Sequence, residues 1–310
     1  MTVFQWLSDW ISLRSSGLAP RTVESYRALL ARHIAPAFGS VALDALSPAA
    51  IQSLLAALCA AGHARTAQLV LVLLRAALSD ALDLGVIAAD PTRRVLRPRH
   101  VRADPRFWSP DEMRAFALYC GAARWGHAWL LAMLCGLRRG ELAGLRWSDV
   151  DFASGVLHIR NQRLRLVGCG VVDATPKSAS GRRDVPLPGQ LVALLRSEFR
   201  RQRLQQAAGA VLPAYVVSGV DNRPIDPHRL NLALSRDIAL AGLRPINLHG
   251  LRHSMATAAV SAGVDMKVLQ ALLGHASYTT TADVYAHVLQ SEKFDAIDIL
   301  SRCVYNASVT

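Results

Sequence analysis

The sequence predicts a mainly α-helical fold with a small antiparallel β-sheet (α+β), divided between two domains. With 310 residues, of which 52% are hydrophobic, the chain is too long for one ordinary core. Apolar residues recur at helical spacing through residues 1–90 and again after 108, whereas short strand-like stretches occur only between 155 and 187. A stretch rich in proline and arginine separates the helical parts. We therefore expect a helical domain at 1–90, a basic linker at 91–107 and a larger domain at 108–310.

Four helices are predicted in the first domain. Apolar residues at helical spacing mark the first two, around 4–11 and 23–30. The third begins at Ser47 and Pro48, because serine caps a helix start and proline suits the first helical position. The fourth is expected to end near Gly85, since glycine adopts the backbone conformation that commonly closes a helix.

The second domain is predicted to begin and end with helices around a few short strands. Its first helix starts at 109–112, where Ser-Pro-Asp-Glu forms a capping box. Alternating residues predict strands at 156–159, 170–172 and 184–187, with a hairpin turn at 178–181. Helices are expected again from Gln190, with a break between 211 and 227.

The net charge of +12 is unevenly distributed. Residues 1–90 are neutral overall, residues 91–106 carry a net charge of +5, and residues 107–310 carry +7. A basic connector beside a basic domain indicates that a polyanion lies along both. A solvated charged linker is the alternative interpretation of the connector alone.

Several classes of protein are excluded by composition. No apolar run approaches the roughly 18 residues of a membrane span, and the first ten residues lack a basic signal-peptide region. The five cysteines form no Cys-x-x-Cys pair, which argues against disulfides and zinc. Neither a carboxylate cluster nor a glycine-rich phosphate loop occurs, so no metal or other cofactor is expected. We predict a soluble, cytoplasmic protein without membrane association.

Five short motifs in the second domain contain residues suited to phosphodiester chemistry. Paired guanidinium groups can hold phosphate oxygens bidentately while a phenol attacks phosphorus, without a metal ion. The candidate residues are Arg138, Lys177, His249, Arg252, His275 and Tyr285.

These motifs resemble those of tyrosine recombinases of the phage integrase and Xer type, in the same order. They are Gly-x-Arg-x-x-Glu-Leu at 136–142, a lysine after 175–176, His-x-Leu-Arg at 249–252, Gly-His at 274–275, and a tyrosine. The resemblance covers essentially the whole chain. It implies a SAM-like four-helix domain that clamps the core DNA site, followed by a tyrosine-recombinase catalytic domain.

The resemblance implies that Arg138 and Arg252 hold the non-bridging oxygens of the scissile phosphate. Cations fixed for the five-coordinate state lower the barrier, because phosphorus gains negative charge there. Lys177 is implied to protonate the departing 5′ oxygen, and nearby arginines would lower its pKa. An exposed loop lysine is the alternative. Glu141 is interpreted as a structural partner that orients an arginine.

The resemblance also implies roles for two histidines and a tyrosine. His249 assists proton removal from the nucleophile, and His275 donates a hydrogen bond to a phosphate oxygen. Tyr285 is the nucleophile; a phenol with a pKa of about 10 needs a cationic pocket and a nearby base. His253, next to Arg252, is interpreted as a packing residue.

Further DNA contacts are expected from helix starts, from the linker and from the strand region. These positions suit phosphate or groove contacts. The candidates are Arg21, Thr22, Arg65, Thr66, Arg97, Arg99, Arg102, Arg182 and Arg183.

The function that the resemblance implies is site-specific DNA recombination by an integrase-type DNA strand transferase. The enzyme would cleave and rejoin DNA through a 3′-phosphotyrosine intermediate and a Holliday junction. Its partner would be double-stranded DNA with an inverted-repeat core site. The protein would act on this DNA as a homo-tetramer, with a dimer on each site. A type IB topoisomerase-like relaxase and an inactive DNA-binding protein of the same fold are the alternatives. The biological role stays open among element integration, transposition, integron capture and chromosome or plasmid resolution.

Overall fold

The computed structural model describes residues 1–99, 107–176, 179–207, 214–219 and 222–274. The chain divides into two compact units, Met1–Asp104 and Pro105–Thr310, each with its own apolar core. The predicted mainly α-helical class with small antiparallel sheets is confirmed. Within the described ranges, no helix combines the length and the apolar composition that a membrane crossing requires.

The described part of the first unit is helical throughout. One turn in it is π-helical, Leu30–Ile34, and directly precedes α3, whose second residue is Pro36. Proline has no N–H to continue the ladder of i to i−4 hydrogen bonds, and the wider turn accommodates this gap. The helices are α1 (Val3–Arg14), α2 (Pro20–Leu29), α3 (Ala35–Phe38), α4 (Pro48–Ala60) and α5 (Ala64–Asp83).

The helix ends of this unit follow the local sequence signals. The Ser47 hydroxyl accepts a hydrogen bond from the Ala50 N–H at 3.2 Å, and Pro48 is the first residue of α4. Gly85 adopts a φ of 68° just after α5, as a glycine that closes a helix does. Helix α5 carries the largest buried face of the unit. On it, the Ala77 carbonyl accepts from Trp6 Nε1 at 3.0 Å.

The first part of the predicted linker packs against this first unit. Thr92 and Val95 are buried, and Asp90 caps a 3-10 turn at Pro91–Arg94 that directs Val95 into the core. Gln68 donates to the Pro98 carbonyl at 2.9 Å. Residues 91–98 are therefore fixed by side-chain and backbone contacts, and the domain boundaries at 90 and 107 stay predictions.

The second unit surrounds two small sheets with helices. The capping box at Ser109 and Glu112 is present and opens its first helix. The helices are α6 (Pro110–Cys120), α7 (Gly126–Leu134), α8 (Arg139–Gly144), α9 (Gly189–Ala207), α10 (Pro227–Leu240), α11 (Leu248–Ser261) and α12 (Met266–Leu273). The strands are β1 (Val150–Asp151), β2 (Val156–Ile159), β3 (Gln162–Leu166), β4 (Gly170–Ala174) and β5 (Arg183–Pro186).

The strand pairing differs from the prediction at one point. Strands β1, β2 and β5 form one antiparallel sheet, in which Leu157 pairs with Val185, whereas β3 and β4 form a separate hairpin. The expected hairpin turn at 178–181 is therefore wrong, because β4 and β5 belong to different sheets. Strand β3, Gln-Arg-Leu-Arg-Leu, was missed, although it alternates apolar residues with arginines as a half-buried strand does and is followed by the turn glycines Gly168 and Gly170.

Aromatic residues fix the helices that carry the candidate site. Trp108 is fully buried; its backbone N–H donates to the Ser254 hydroxyl at 2.8 Å and its indole N–H donates to the Arg244 carbonyl at 2.9 Å. These bonds anchor α11 from both sides of its N-terminus. Trp129 of α7 donates to Asp237 of α10 at 2.7 Å. Helices α7, α10 and α11 therefore share one core.

We expect Gly126→Ala to destabilise the second unit by about 1–3 kcal/mol, the usual range for overpacking. A Cβ at Gly126, the first residue of α7, would overlap the Cys120 carbonyl. Gly189→Ala at the start of α9 is the matched control, because nothing lies within 4 Å of its Cβ position. Urea unfolding followed by tryptophan fluorescence measures both. Equal midpoints for the two variants would contradict the packing described for α7.

Candidate active site

Arg138 lies in the short connection between α7 and α8. Gly136 closes α7 with a φ of 62°, and a Cβ there would lie 2.9 Å from Leu273 Cδ2 and 3.0 Å from Met255 Cε. Only glycine satisfies both the left-handed backbone and this close approach. Arg138 then occupies the N-cap of α8, and its backbone N–H donates to Glu141 Oε2 at 2.9 Å.

Glu141 is a buried carboxylate between two arginines. Its Oε1 accepts from Arg138 Nη1 at 2.6 Å and from Arg183 Nη1 at 3.1 Å, and its Oε2 accepts from Arg183 Nη2 at 2.9 Å. The side chains of Glu141 and Arg183 are 2% and 6% exposed, whereas that of Arg138 is 39% exposed. Glu141 therefore orients Arg138 from the buried side, and part of the Arg138 side chain remains open to solvent.

Glu141 is ionised in this position. Burial alone would raise its pKa, but the hydrogen bonds and charge of Arg183, followed by the charge of Arg138, outweigh burial, so the pKa lies below the usual carboxyl value. The negative charge of Glu141 is needed to compensate the positive charges of Arg138 and Arg183, because this part of the protein is poorly hydrated.

The end of α12 brings three arginines together. The Leu272 carbonyl accepts from Arg183 Nε at 2.6 Å, the Leu273 carbonyl from Arg252 Nη2, and the Gly274 carbonyl from Arg138 Nη2 at 2.8 Å. The last carbonyls of a helix have no partner within the helix and lie at the negative end of its dipole. Guanidinium groups from three other elements supply both the donors and the compensating charge.

Arg252 is the most deeply buried of these arginines. It lies on α11 with 2% of its surface exposed, and its Nη1 also donates to the Gly136 carbonyl. Its guanidinium therefore joins the end of α7 to the end of α12. This contact makes Arg252 an anchor of the site, and its role in holding a phosphate stays a prediction.

His249 lies one turn before Arg252 at the N-terminus of α11. Asn247 caps this helix by accepting from the Gly250 N–H at 2.8 Å. The His249 ring is exposed and stands edge-on to the buried His253 ring, with 4.5 Å between their centroids. His253 is thus a buried ring that packs against His249.

Three predicted site residues, Lys177, His275 and Tyr285, lie outside the described residues. Neighbours of Lys177 and His275 in sequence are described, whereas residues 275–310 around Tyr285 are not. Thr175, two residues before Lys177, follows β4, and its carbonyl accepts from Gln162 Nε2 at 2.6 Å. Gly274, which directly precedes His275, is the left-handed residue that ends α12.

The predicted DNA contacts fall into four groups. Arg65, Arg97, Arg99 and Arg182 are exposed, and so is Arg21, which also pairs with Glu24 at 3.0 Å; Thr22 and Thr66 are half-buried. Arg102 lies outside the described ranges. Arg183 corrects the prediction, because its guanidinium is buried against Glu141 and the end of α12 and so cannot contact DNA.

The sequence did contain a signal for the inward position of Arg183. Side chains alternate faces along a strand, so Arg183 shares a face of β5 with Val185, which is buried in the core. The same alternation directs Arg182 and Asp184 outward. Counting from Val185 would have assigned Arg183 to the interior.

Comparison with known proteins assigns this chain to the tyrosine recombinases, a class of DNA strand transferases. The chain belongs to the phage integrase family: the sequence model of that family matches residues 110–292, and the model of the phage integrase central domain matches residues 4–97.

Two curated relatives carry the same assignment. A tyrosine recombinase XerC-like protein of Caldanaerobacter subterraneus subsp. tengcongensis is 27% identical over 71% of this chain and 62% of its own length. Tyrosine recombinase XerC of Mycobacterium bovis is 30% identical over 79% of this chain and 80% of its own length. The chain thus spans less than two thirds of the first relative.

Solved structures share the fold. The Tn1549 transposon integrase in complex with transposon right end DNA superposes with a TM-score of 0.83 at 21% identity, covering 97% of this chain and 100% of that one. The lambda integrase tetramer bound to a Holliday junction gives a TM-score of 0.69 at 18% identity, covering 92% of this chain and 77% of that one.

We expect Gly274→Ala to impair DNA cleavage by about 10²-fold, the scale of a misplaced catalytic group. A Cβ at Gly274 would lie 2.6 Å from the Ser180 carbonyl oxygen, so the carbonyl that Arg138 binds must shift. Gly263→Ala is the matched control: its φ is 76°, and nothing lies within 4 Å of its Cβ position.

Both alanines carry the backbone strain of a left-handed residue, about 1–2 kcal/mol. Only the alanine at 274 also carries the collision. Thermal unfolding and the rate of covalent DNA complex formation separate the two effects. If both variants cleave DNA equally, the end of α12 does not position Arg138.

Proposed function

We propose that this protein is a site-specific DNA recombinase that cleaves and rejoins DNA through a 3′-phosphotyrosine at Tyr285. The observation that carries the proposal is the convergence of Arg138, Arg183 and Arg252 on the last carbonyls of α12. Membership of the phage integrase family supports the assignment.

Arg138 is the residue best placed to contact the scissile phosphate. A guanidinium has five N–H donors, and within the described contacts Glu141 and Gly274 take one each. Counted over Arg138, Arg183, Arg252 and Glu141, three guanidinium groups and one carboxylate leave a net charge of +2. Such a fixed charge stabilises the five-coordinate phosphorus more than the ground state.

Cleavage then proceeds in one displacement on each strand. The Tyr285 oxygen attacks phosphorus and its proton passes to His249, while the bond from phosphorus to the 5′ oxygen breaks and Lys177 protonates that oxygen. His275 donates a hydrogen bond to a non-bridging oxygen. The products are a 3′-phosphotyrosine and a free 5′-hydroxyl, so the number of ester bonds is conserved.

Conservation of the ester explains how strands are exchanged without a cofactor. The 5′-hydroxyl of a second duplex attacks the phosphotyrosine and releases Tyr285, which reverses the first step on a new partner. Two successive exchanges pass through a Holliday junction. The assembly is a homo-tetramer on two duplexes, a dimer on each inverted-repeat core site, acting in the cytoplasm. A lambda integrase tetramer on a Holliday junction, which shares this fold, supports that assembly.

The packed stretch 91–99 contributes to DNA binding outside the reacting centre. Its arginines Arg93, Arg94, Arg97 and Arg99 are exposed, while Thr92 and Val95 hold the backbone on the first unit. Basic side chains on a fixed backbone neutralise phosphates without ordering a free chain first. Affinity should therefore fall steeply as salt concentration rises.

Tyr285→Phe should abolish covalent attachment to DNA, because phenylalanine has no nucleophilic oxygen. The test uses a cognate site carrying a nick beside the scissile phosphate, so that the cleaved fragment diffuses away and the adduct accumulates on a denaturing gel. Tyr278→Phe is the control and should still form the adduct. An adduct in Tyr285→Phe would remove this residue as nucleophile. Adducts that form equally on unrelated DNA would favour a relaxase over a site-specific recombinase.

Lys177→Ala should slow cleavage of ordinary DNA by about 10²- to 10⁴-fold, the usual contribution of general acid catalysis. Replacing the scissile 5′ oxygen by sulfur should restore most of the rate, because a thiolate leaves without being protonated. Arg138→Ala serves as the comparison and should not be restored by sulfur, since its defect concerns the non-bridging oxygens. Equal impairment of Lys177→Ala on both substrates would show that Lys177 is not the acid.

A further inference from the structure

Arg183 and Arg138 compete for one carboxylate. Arg183 contacts both oxygens of Glu141, with Nη1 to Oε1 at 3.1 Å and Nη2 to Oε2 at 2.9 Å. The Arg138 guanidinium contacts only Oε1, at 2.6 Å, while the second oxygen receives the Arg138 backbone N–H. The bidentate pair, which is the stronger arrangement, therefore belongs to Arg183.

Arg183 is held in this arrangement by three separate elements. Its backbone lies in β5, where it pairs with Ile159 of β2. Its Nε donates to the Leu272 carbonyl of α12 at 2.6 Å, and its Nη atoms reach Glu141 of α8. Because the side chain is 6% exposed and fixed at both ends, it cannot turn outward to bind a ligand.

Glu141 would behave differently without Arg183. A buried ionised carboxylate needs its charge compensated and its lone pairs bonded, and Arg138 would be the remaining cationic partner of Glu141 among the described contacts. The Arg138 guanidinium group would then reorient to donate hydrogen bonds to both oxygens of Glu141. Its charge would be neutralised, and donors that face solvent would be withdrawn from the phosphate.

We infer that Arg183 is a positioning residue, which occupies Glu141 bidentately so that the charge and donors of Arg138 remain available to the scissile phosphate. This inference rests on the proposed function. Arg183 acts only through Glu141 and Arg138, and it does not touch the DNA.

The test measures single-turnover cleavage of the nicked site at saturating DNA, together with DNA affinity and thermal unfolding. Arg183→Met removes the guanidinium group and keeps an unbranched side chain as far as the position of Nε. Cleavage should fall by about 10²-fold, the typical cost of losing one transition-state contact, while DNA affinity changes much less. The matched control is Arg201→Met on α9, which removes a bidentate partner from the buried Glu198 elsewhere in the unit and should leave cleavage unchanged.

The decisive variant combines Arg183→Met with Glu141→Gln. An amide has no charge with which to capture Arg138, so the double variant should cleave at least about tenfold faster than Arg183→Met alone. Additive losses would instead show that Arg183 does not act through Glu141, because residues that work through one shared contact have coupled effects. Arg183→Lys provides the same test if the methionine variant is unstable: it should cleave at a reduced rate, and adding Glu141→Gln should raise that rate.

The possible outcomes separate this inference from the proposed function. A wild-type chain that forms no Tyr285 adduct overturns both. A wild-type adduct with additive losses in the double variants overturns only the positioning role of Arg183. Rescue by Glu141→Gln, with cleavage by Arg201→Met intact, supports it.

Discussion

The candidate site depends on one physical arrangement, the capping of the α12 carbonyls by three arginines. Leu272, Leu273 and Gly274 each expose a carbonyl that the helix itself cannot satisfy, and each accepts from an arginine of a different segment. The contacts join the α7–α8 connection, β5 and α11 to a single point. The positive charge that a phosphate requires is thus assembled by satisfying a helix end, so that folding and site formation use the same bonds.

Two glycines make this convergence possible. Gly136 and Gly274 both have left-handed backbones, and at both positions a Cβ would meet neighbouring atoms at 2.9 Å or less. Backbone conformation and close packing therefore explain why the Gly-x-Arg and Gly-His motifs have glycine at these positions. They let α7 and α12 end close enough together for the buried Arg252 to bridge the carbonyls of Gly136 and Leu273.

Local signals in the sequence predicted the elements better than their pairing. The Ser47 cap, the capping box at Ser109 and the glycine after α5 are determined by neighbours in sequence, and each was found. The pairing of β5 with β2 joins residues far apart in sequence, and no local pattern specifies it. In the site, motif spacing predicted Arg138 and Arg252, and both guanidinium groups lie at the end of α12. Placing Arg183 inward requires knowing that it shares a face of β5 with the buried Val185.

The two motif arginines differ in environment, and this difference bears on how the site works. Arg252 is almost fully buried and bridges backbone carbonyls, whereas Arg138 is 39% exposed and shares its carboxylate with Arg183. A buried guanidinium with backbone partners contributes a fixed charge whose position does not change when a ligand binds. A partly exposed one can donate directly to that ligand. Under the proposed function, the arrangement combines a fixed charge at Arg252 with a phosphate-contacting residue at Arg138. Arg138 also holds the carbonyl of Gly274, the residue directly before His275.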